Sequence, residues 1–336
     1  MNAPSDAISS TPAAPSDDQL SWAWDLLQNL RDAIGQALIG QQAVVDQTLA
    51  ALCAAGHVLV EGAPGLGKTL LARALATSVA ARFARIQFTA DLMPSDVTGH
   101  ALYNLRDERF EIRRGPVFCH FLLADEINRA PAKTQAALLE VMQEGQVTIE
   151  GESLPLPPPF MTLATQNPIE HEGTYPLPEA QLDRFLLKIQ IDYPSPEEET
   201  ALVRSVTGGR VGDTLDLSRV RPVADVAAVL ELQRIAAHLR LDDAVLNYAV
   251  RLAATTRAMP AFAIGAGPRG GIALVRAARA QALLNGRDFV TPDDVKAMVK
   301  PALRHRLTLA AEYEMEGARV DALLDELLRR VAAPRV

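Results

Sequence analysis

Residues 57–69 read His-Val-Leu-Val-Glu-Gly-Ala-Pro-Gly-Leu-Gly-Lys-Thr, HVLVEGAPGLGKT. A short apolar run, Val58, Leu59 and Val60, breaks into a Gly-rich loop, and LLARALATSVA follows with leucine and alanine at helical spacing. The loop fits G-x-x-x-x-G-K-[ST], with Gly62, Gly67, Lys68 and Thr69 at the fixed positions. Glycines allow successive backbone N–H groups to turn inward and approach phosphate oxygens. A helix opening at Lys68 points its positive end at the same anion. Gly62, Ala63, Pro64, Gly65, Leu66, Gly67, Lys68, Thr69 and Leu70 are therefore expected to bind a nucleotide. Lys68 would reach the β- and γ-phosphates, and the Thr69 hydroxyl would serve Mg²⁺. A Gly/Pro-rich turn with a chance Lys-Thr is the competing reading, and the strand–loop–helix context speaks against it.

On either side the pattern alternates. Helical periodicity runs from Leu20 through WAWDLLQNLRDAIGQAL, then Ile39-Gly40-Gln41-Gln42 leads into AVVDQTLAALCAA. Downstream, ARIQFTA (84–90) predicts a second strand and LRDERFEIRRGP (105–116) a charged hairpin. The unalternating apolar run Phe118–Ala124 signals a strand buried on both faces, as in a parallel sheet. Ala132–Glu144 reads as a helix between Pro131 and Gly145, Gln146–Leu156 as a hairpin, and PFMTLATQNP and FLLKIQI (185–191) as further strands. Strands alternating with helices predict a doubly wound α/β core, with ligands at the carboxyl ends of the strands. From about Thr200 no strand is expected. Leu230–Leu239, Asp243–Thr256, Gly271–Leu284, Thr291–Val299 and Val320–Val331 read as helices of a small all-α domain. The expected division is a Pro/Ser/Ala tail over 1–19, a nucleotide-binding core over 20–195, a linker over 196–221 and the helical domain over 222–336.

Composition narrows the function. Apolar residues make up 49% of the 336, and 33 basic against 41 acidic residues give a net charge of −8. An acidic chain is a poor non-specific partner for nucleic acid, which is held chiefly through phosphate neutralisation. Cys53 and Cys119 are far apart, with no C-x-x-C companions, and read as small buried apolar residues in a reducing compartment. The N-terminus lacks the basic and apolar regions of a signal peptide, and no apolar run is long enough to span a bilayer. A cytoplasmic location without membrane insertion is expected.

Asp125-Glu126 closes its apolar strand beside the phosphate loop of the inferred sheet. Asp125 supplies the hard oxygen that Mg²⁺ requires, acting largely through water. Glu126 is the candidate for polarising a water that attacks the γ-phosphate. The alternative, an acidic pair that merely solvates a strand end, weakens once a phosphate loop lies upstream. Asn167, also at a strand end, either orients that water or forms an Asx turn before Pro168. Arg184 in LDRF and Arg269 in GPRG read, on their own, as solvated surface residues. The six histidines are scattered singly, without metal-site spacing.

The order Ile39-Gly40-Gln41, GAPGLGKT, LLADEINRA, ATQNP, LPEAQLDRF, GPRG resembles the successive motifs of AAA+ ATPases. QFTADLMPSDVTG, ADEINRAPAKTQAALLEVMQEGQVTIEG and ATQNPIEHEGTYPLPEAQLDRF resemble the MoxR branch in particular, and the similarity covers roughly residues 22–333. This resemblance implies an AAA+ core, a five-stranded parallel sheet sandwiched by helices with β-hairpin inserts, and a smaller all-α lid. It implies ATP and Mg²⁺ as cofactors, with Ile39 and Gly40 near adenine and catalytic roles for Glu126, Asn167 (sensor 1), Arg184 (the arginine finger entering a neighbouring subunit) and Arg269 (sensor 2). The stretches around Arg106–Arg114 and Gln146–Pro155 match the helix-2 insert and the pre-sensor-1 hairpin. The sensor 2 stretch reads GPRGG, where a Ser before the Pro and an Ala after the Arg are expected. By the same resemblance the chain would form a homo-oligomeric ring, a hexamer, that remodels or matures a client protein or assists its metal loading. A protein carrying a von Willebrand factor A domain would be its partner. A DNA-associated, helicase-like motor shares the hairpin inserts, but the acidic balance counts against it. A small-molecule kinase would share only the phosphate loop.

Overall fold

The apolar runs become the centre of a parallel sheet. A computed structural model describes residues 14–167, 173–207 and 217–334. The greater part of the expected N-terminal tail, Pro168, His171 and residues 208–216 of the expected linker lie outside the described residues. Helix α1 (Asp17–Gly35) opens with a capping box in which Ser16 and Gln19 satisfy each other's backbone N–H groups. Helix α2 (Gln42–Cys53) then leads to strand β1 (Val58–Gly62), and α3 (Lys68–Ser78) follows the loop. Next come β2 (Phe83–Gln87), the short α4 (Pro94–Thr98), a hairpin of β3 (Gly99–Asn104) and β4 (Arg109–Arg114), β5 (Phe121–Asp125) and α5 (Ala132–Glu144). A second hairpin, β6 (Gln146–Ile149) and β7 (Glu152–Pro155), precedes β8 (Met161–Gln166), α6 (Glu179–Leu182) and β9 (Leu187–Ile191).

The sheet order is β2-β5-β8-β1-β9, every pairing parallel. Alternate residues enter opposite layers: Val58, Val60, Phe121 and Leu123 pack with α1, α2 and α3, whereas Leu59, Leu122 and Ala124 pack with Leu138 and Leu139 of α5. Both layers are apolar, so strands without polar alternation are the stable solution.

Several boundaries move from expectation for local reasons. β5 starts at Phe121, because Phe118 and Cys119 are held in turns by bonds to Gly115 and Val117 carbonyls. β9 starts at Leu187, because Phe185 N–H is already bonded to Leu182 O. The first hairpin begins at Gly99, earlier than the charged stretch suggested. There φ is +96°, and a Cβ would stand 2.2 Å from Arg113 O, so glycine alone permits the strands to meet.

Helix α7 (Pro196–Thr207) is followed by α8 (Val226–Ala237), whose N-cap Asp225 accepts from Ala228 N–H at 2.8 Å. Then come α9 (Asp243–Thr256), β10 (Phe262–Ile264), α10 (Pro268–Leu284), α11 (Pro292–Leu303), β11 (Thr308–Leu309), α12 (Ala311–Met315) and α13 (Val320–Arg330). One correction to the all-helical expectation follows: β10 and β11 pair antiparallel, Phe262 opposite Leu309. Two and three residues are too few to show a strand period. Helix α11 also runs past Pro301, where the burial of Ala302 and Leu303 offsets the missing backbone bond. Helices α8 to α11 and α13 share one continuous core with α1, α2 and β9, so this lid is seated on the β9 edge of the sheet.

Candidate functional site

The phosphate loop joins β1 to α3. Gly65 and Gly67 have φ of +82° and +87°, with nothing within 4 Å of a built Cβ. Glycine is required there by backbone conformation rather than by crowding, and the loop's concave side stays open. Lys68 Nζ donates to Gly62 O at 2.6 Å and to Gln166 O at 3.3 Å, bridging the ends of β1 and β8. Leu66 and Leu70 brace the loop against the core.

The acidic pair stands at the matching end of β5. Asp125 is 8% exposed. Its Oδ1 accepts from Thr165 Oγ1 at 2.6 Å, and its Oδ2 accepts from Arg85 Nη2 at 2.7 Å and Nε at 3.1 Å. Glu126 adopts φ +56°, ψ +50°, a left-handed conformation that costs a non-glycine residue about 1–2 kcal/mol and swings the side chain out of strand alternation. Its N–H donates to Thr165 Oγ1 at 2.9 Å, and its Oε2 accepts from Gln87 Nε2 at 2.8 Å and pairs with Arg129 Nε at 3.0 Å. Buried Asn167 follows the end of β8. The loop, Asp125, Glu126 and Asn167 are thus gathered along one edge of the sheet.

Arg85, Gln87, Thr165 and Arg129 were not anticipated. The alternation of β2 places Arg85 and Gln87 on one face, the only sequence signal for them. The open loop and bridging Lys68 fit a triphosphate. The Thr69 hydroxyl and Asp125 carboxylate are hard oxygen donors of the kind Mg²⁺ takes, and they would hold it together with phosphate oxygens and water. Among the described residues, no cluster of three or more His, Cys, Asp or Glu could hold a metal without them.

A cleft of about 800 Å³ opens beside the loop, between Gly62, Ala63 and Leu66, the end of β9 at Asp192 and Tyr193, and the lid at Arg319. Ile39 and Gly40 approach this end. Gln41 Nε2 donates to Asp192 O at 3.0 Å, and a Cβ on Gly40 (φ +77°) would strike the Glu198 side chain of α7.

Arg184 and Arg269 are not in that cleft. They line another, of about 410 Å³, with His57, Asp183, Arg276 and Arg306. Arg184 precedes β9 and His57 precedes β1, whereas the phosphate loop follows β1; Val58 pairs with Leu187 and Gly62 with Ile191. The two clefts therefore sit at opposite ends of the same strands, roughly 13 Å of strand apart. Arg184 Nη1 donates to Leu139 O at 2.6 Å, and Arg269, in the first turn of α10, lies 3.6 Å from the Asp183 carboxylate. His57 is half-buried in the wall of this cleft, its Nδ1 accepting from Thr162 N–H and its Nε2 facing Met142 O, both at 3.0 Å. Burial lowers its pKa to about 4, with the Arg276 charge adding to the shift. Burial likewise pushes the thiols of Cys53 and Cys119 up to about 12, consistent with inert core residues.

No helix among the described residues is long and apolar enough to cross a membrane. Residues 57–187 match the ATPase family associated with various cellular activities (AAA), and residues 254–327 match the AAA lid domain. The uncharacterized protein YeaC of Bacillus subtilis is 46% identical over 92% of this chain and 95% of its own. Chaperone MoxR1 of Mycobacterium tuberculosis is 44% identical over 90% of this chain and 81% of its own. A crystal structure of a candidate ATPase from Cytophaga hutchinsonii, 39% identical, superposes with a TM-score of 0.86 over 95% of this chain and 98% of that one. With the expected α/β core, its hairpins and its lid all in place, the chain belongs to the MoxR family of AAA+ ATPases.

Proposed function

We propose that this chain hydrolyses ATP in a homo-oligomeric ring, a hexamer, in which each subunit's Arg184 and Arg269 serve the nucleotide bound by its neighbour. One observation carries the reading: both arginines lie at the end of the sheet opposite their own phosphate loop. Arg184 does not reach its own nucleotide without dismantling the start of β9, while a head-to-tail contact closing into a ring brings both arginines to another subunit's. Gly62–Leu70 cradle the phosphates, Ile39 and Gly40 bound the base, and Thr69 and Asp125 hold Mg²⁺. The bound metal supplies charge neutralisation across the phosphates. Glu126 takes the proton of the attacking water, Asn167 orients that water, and the incoming arginines offset the charge that develops on the transferred phosphoryl group.

The work is remodelling or maturation of a client protein, in the cytoplasm, with a von Willebrand factor A domain protein as partner. The naming of a similar protein as a chaperone supports this reading. Against the DNA-motor alternative, Arg109 of the β3–β4 hairpin is already paired with Asp107 and Glu111 at 3.7 and 3.3 Å.

Mixed rings test the proposal. Arg184→Ala and Glu126→Gln subunits, each inactive alone, should recover ATPase activity when combined, because the second lends its Arg184 to the intact site of the first. No recovery across mixing ratios would remove the neighbour-serving role.

A further inference from the structure

Asp183, one residue before Arg184, is gripped from the lid. Its Oδ1 accepts from Arg306 Nε at 2.7 Å, and its Oδ2 lies 3.6 Å from Arg269 Nη1. The Arg306 side chain is only 4% exposed. Its Nη2 donates to Phe185 O at 2.6 Å and Asp183 O at 3.3 Å, and its Nη1 donates to Leu186 O at 3.2 Å. The neighbouring His305 Nε2 meets Phe185 O at 3.0 Å from a buried position. The turn Asp183–Leu186, from which Arg184 projects, is thus shaped by two residues that follow α11 of the lid.

The two arginines are held with different strength. Arg184 is half-buried and bonded to the Leu139 carbonyl. Arg269 is 56% exposed with a long ion pair, an arrangement worth little in water and readily exchanged for a more highly charged anion. Arg306 is the fixed member: burial lowers its pKa and the Asp183 charge opposes that shift, so a guanidinium this enclosed depends on the carboxylate.

We infer that Asp183 is a positioning residue. With Arg306 it sets the Arg184 turn and parks Arg269, so that core and lid present the two arginines to the neighbouring phosphate as one unit. The inference rests on the neighbour-serving role proposed above.

The test uses the full chain carrying Asp183→Asn or Arg306→Lys. In each, affinity for a fluorescent ATP analogue should stay within about twofold, while kcat falls about tenfold or more. Ring mass by light scattering should not change. Mixing either variant with Glu126→Gln subunits should restore activity, as it should for Arg184→Ala; a variant that was merely misfolded would not recover. If Asp183→Asn does not fold, Arg306→Lys, which keeps the charge, carries the same expectations. Wild-type kcat in both variants overturns the inference. So does failure of both to recover in mixtures where Arg184→Ala recovers. Failure of Arg184→Ala itself to recover would instead overturn the underlying trans reading, and this inference with it.

Discussion

Gln87 Nε2 donates to Glu126 Oε2 at 2.8 Å across the adjacent strands β2 and β5. Arg129 takes the same oxygen, so the carboxylate proposed as general base is held by two neighbours rather than left loose in solvent. A left-handed backbone at Glu126 is what allows that reach, and a strained residue at a strand end is where chemistry is commonly placed.

If Glu126 is the base, Glu126→Gln keeps the shape and removes the proton acceptor. The expected result is ATP affinity near wild type with kcat reduced about 10²–10⁴-fold, read by analogue binding and phosphate release. A rate near wild type would assign the base to another group.

Lys68 bridges two strand ends through the Gly62 and Gln166 carbonyls, and the same ammonium would meet the β- and γ-phosphates. Lys68→Ala should abolish measurable ATP binding in a fluorescence titration while leaving the fold intact by circular dichroism. Retained affinity would refute the phosphate-loop assignment.

Thr165 is a buried hinge between the two acids, its hydroxyl donating to Asp125 and accepting from the Glu126 N–H. Thr165→Val preserves the volume and strands both partners, which should cost about 1–3 kcal/mol of stability in urea denaturation. A loss of kcat larger than the loss of affinity should accompany it. A fully stable and active variant would show the acids to be placed independently of Thr165.

Half-buried His57, with both ring nitrogens facing backbone partners, predicts a pH dependence of stability. Its folded pKa of about 4 lies below the ordinary 6.5, so between those values the unfolded chain binds the extra proton. The neutral imidazole's contribution is complete above about pH 6.5 and is lost as pH falls toward 4, by at most about 3 kcal/mol because the ring is partly solvated. In wild type, urea-derived stability should decline over that window. His57→Gln should be less stable at pH 7.5, with the gap narrowing by pH 5. Parallel curves would mean that His57 does not titrate in this window.

The parts legible in the sequence are those whose signal is local. The unalternating runs at Val58 and Leu122 announce strands covered on both faces, and the phosphate loop fixes where the nucleotide edge lies. Asp125 and Asn167 follow because strand ends in a parallel sheet share an edge. Hidden from any local reading were contacts joined only by folding: Arg85 and Gln87 with the acidic pair, and Asp183 with Arg269 and Arg306. Arg184 and Arg269 read alone as solvated residues, and their importance came from the order of motifs. Their shared cleft, at the end away from the phosphates, needed the register of β9 on β1. The β10–β11 ribbon was missed because it is shorter than the period that would reveal it.

Whether one chain completes another's site is tested most directly by ATPase rate against protein concentration, with mass followed by light scattering with and without a non-hydrolysable ATP analogue. The account predicts that specific activity climbs as an ATP-dependent ring assembles, by as much as about 10³-fold where an arginine is supplied in trans. A concentration-independent rate from a monomer would contradict it.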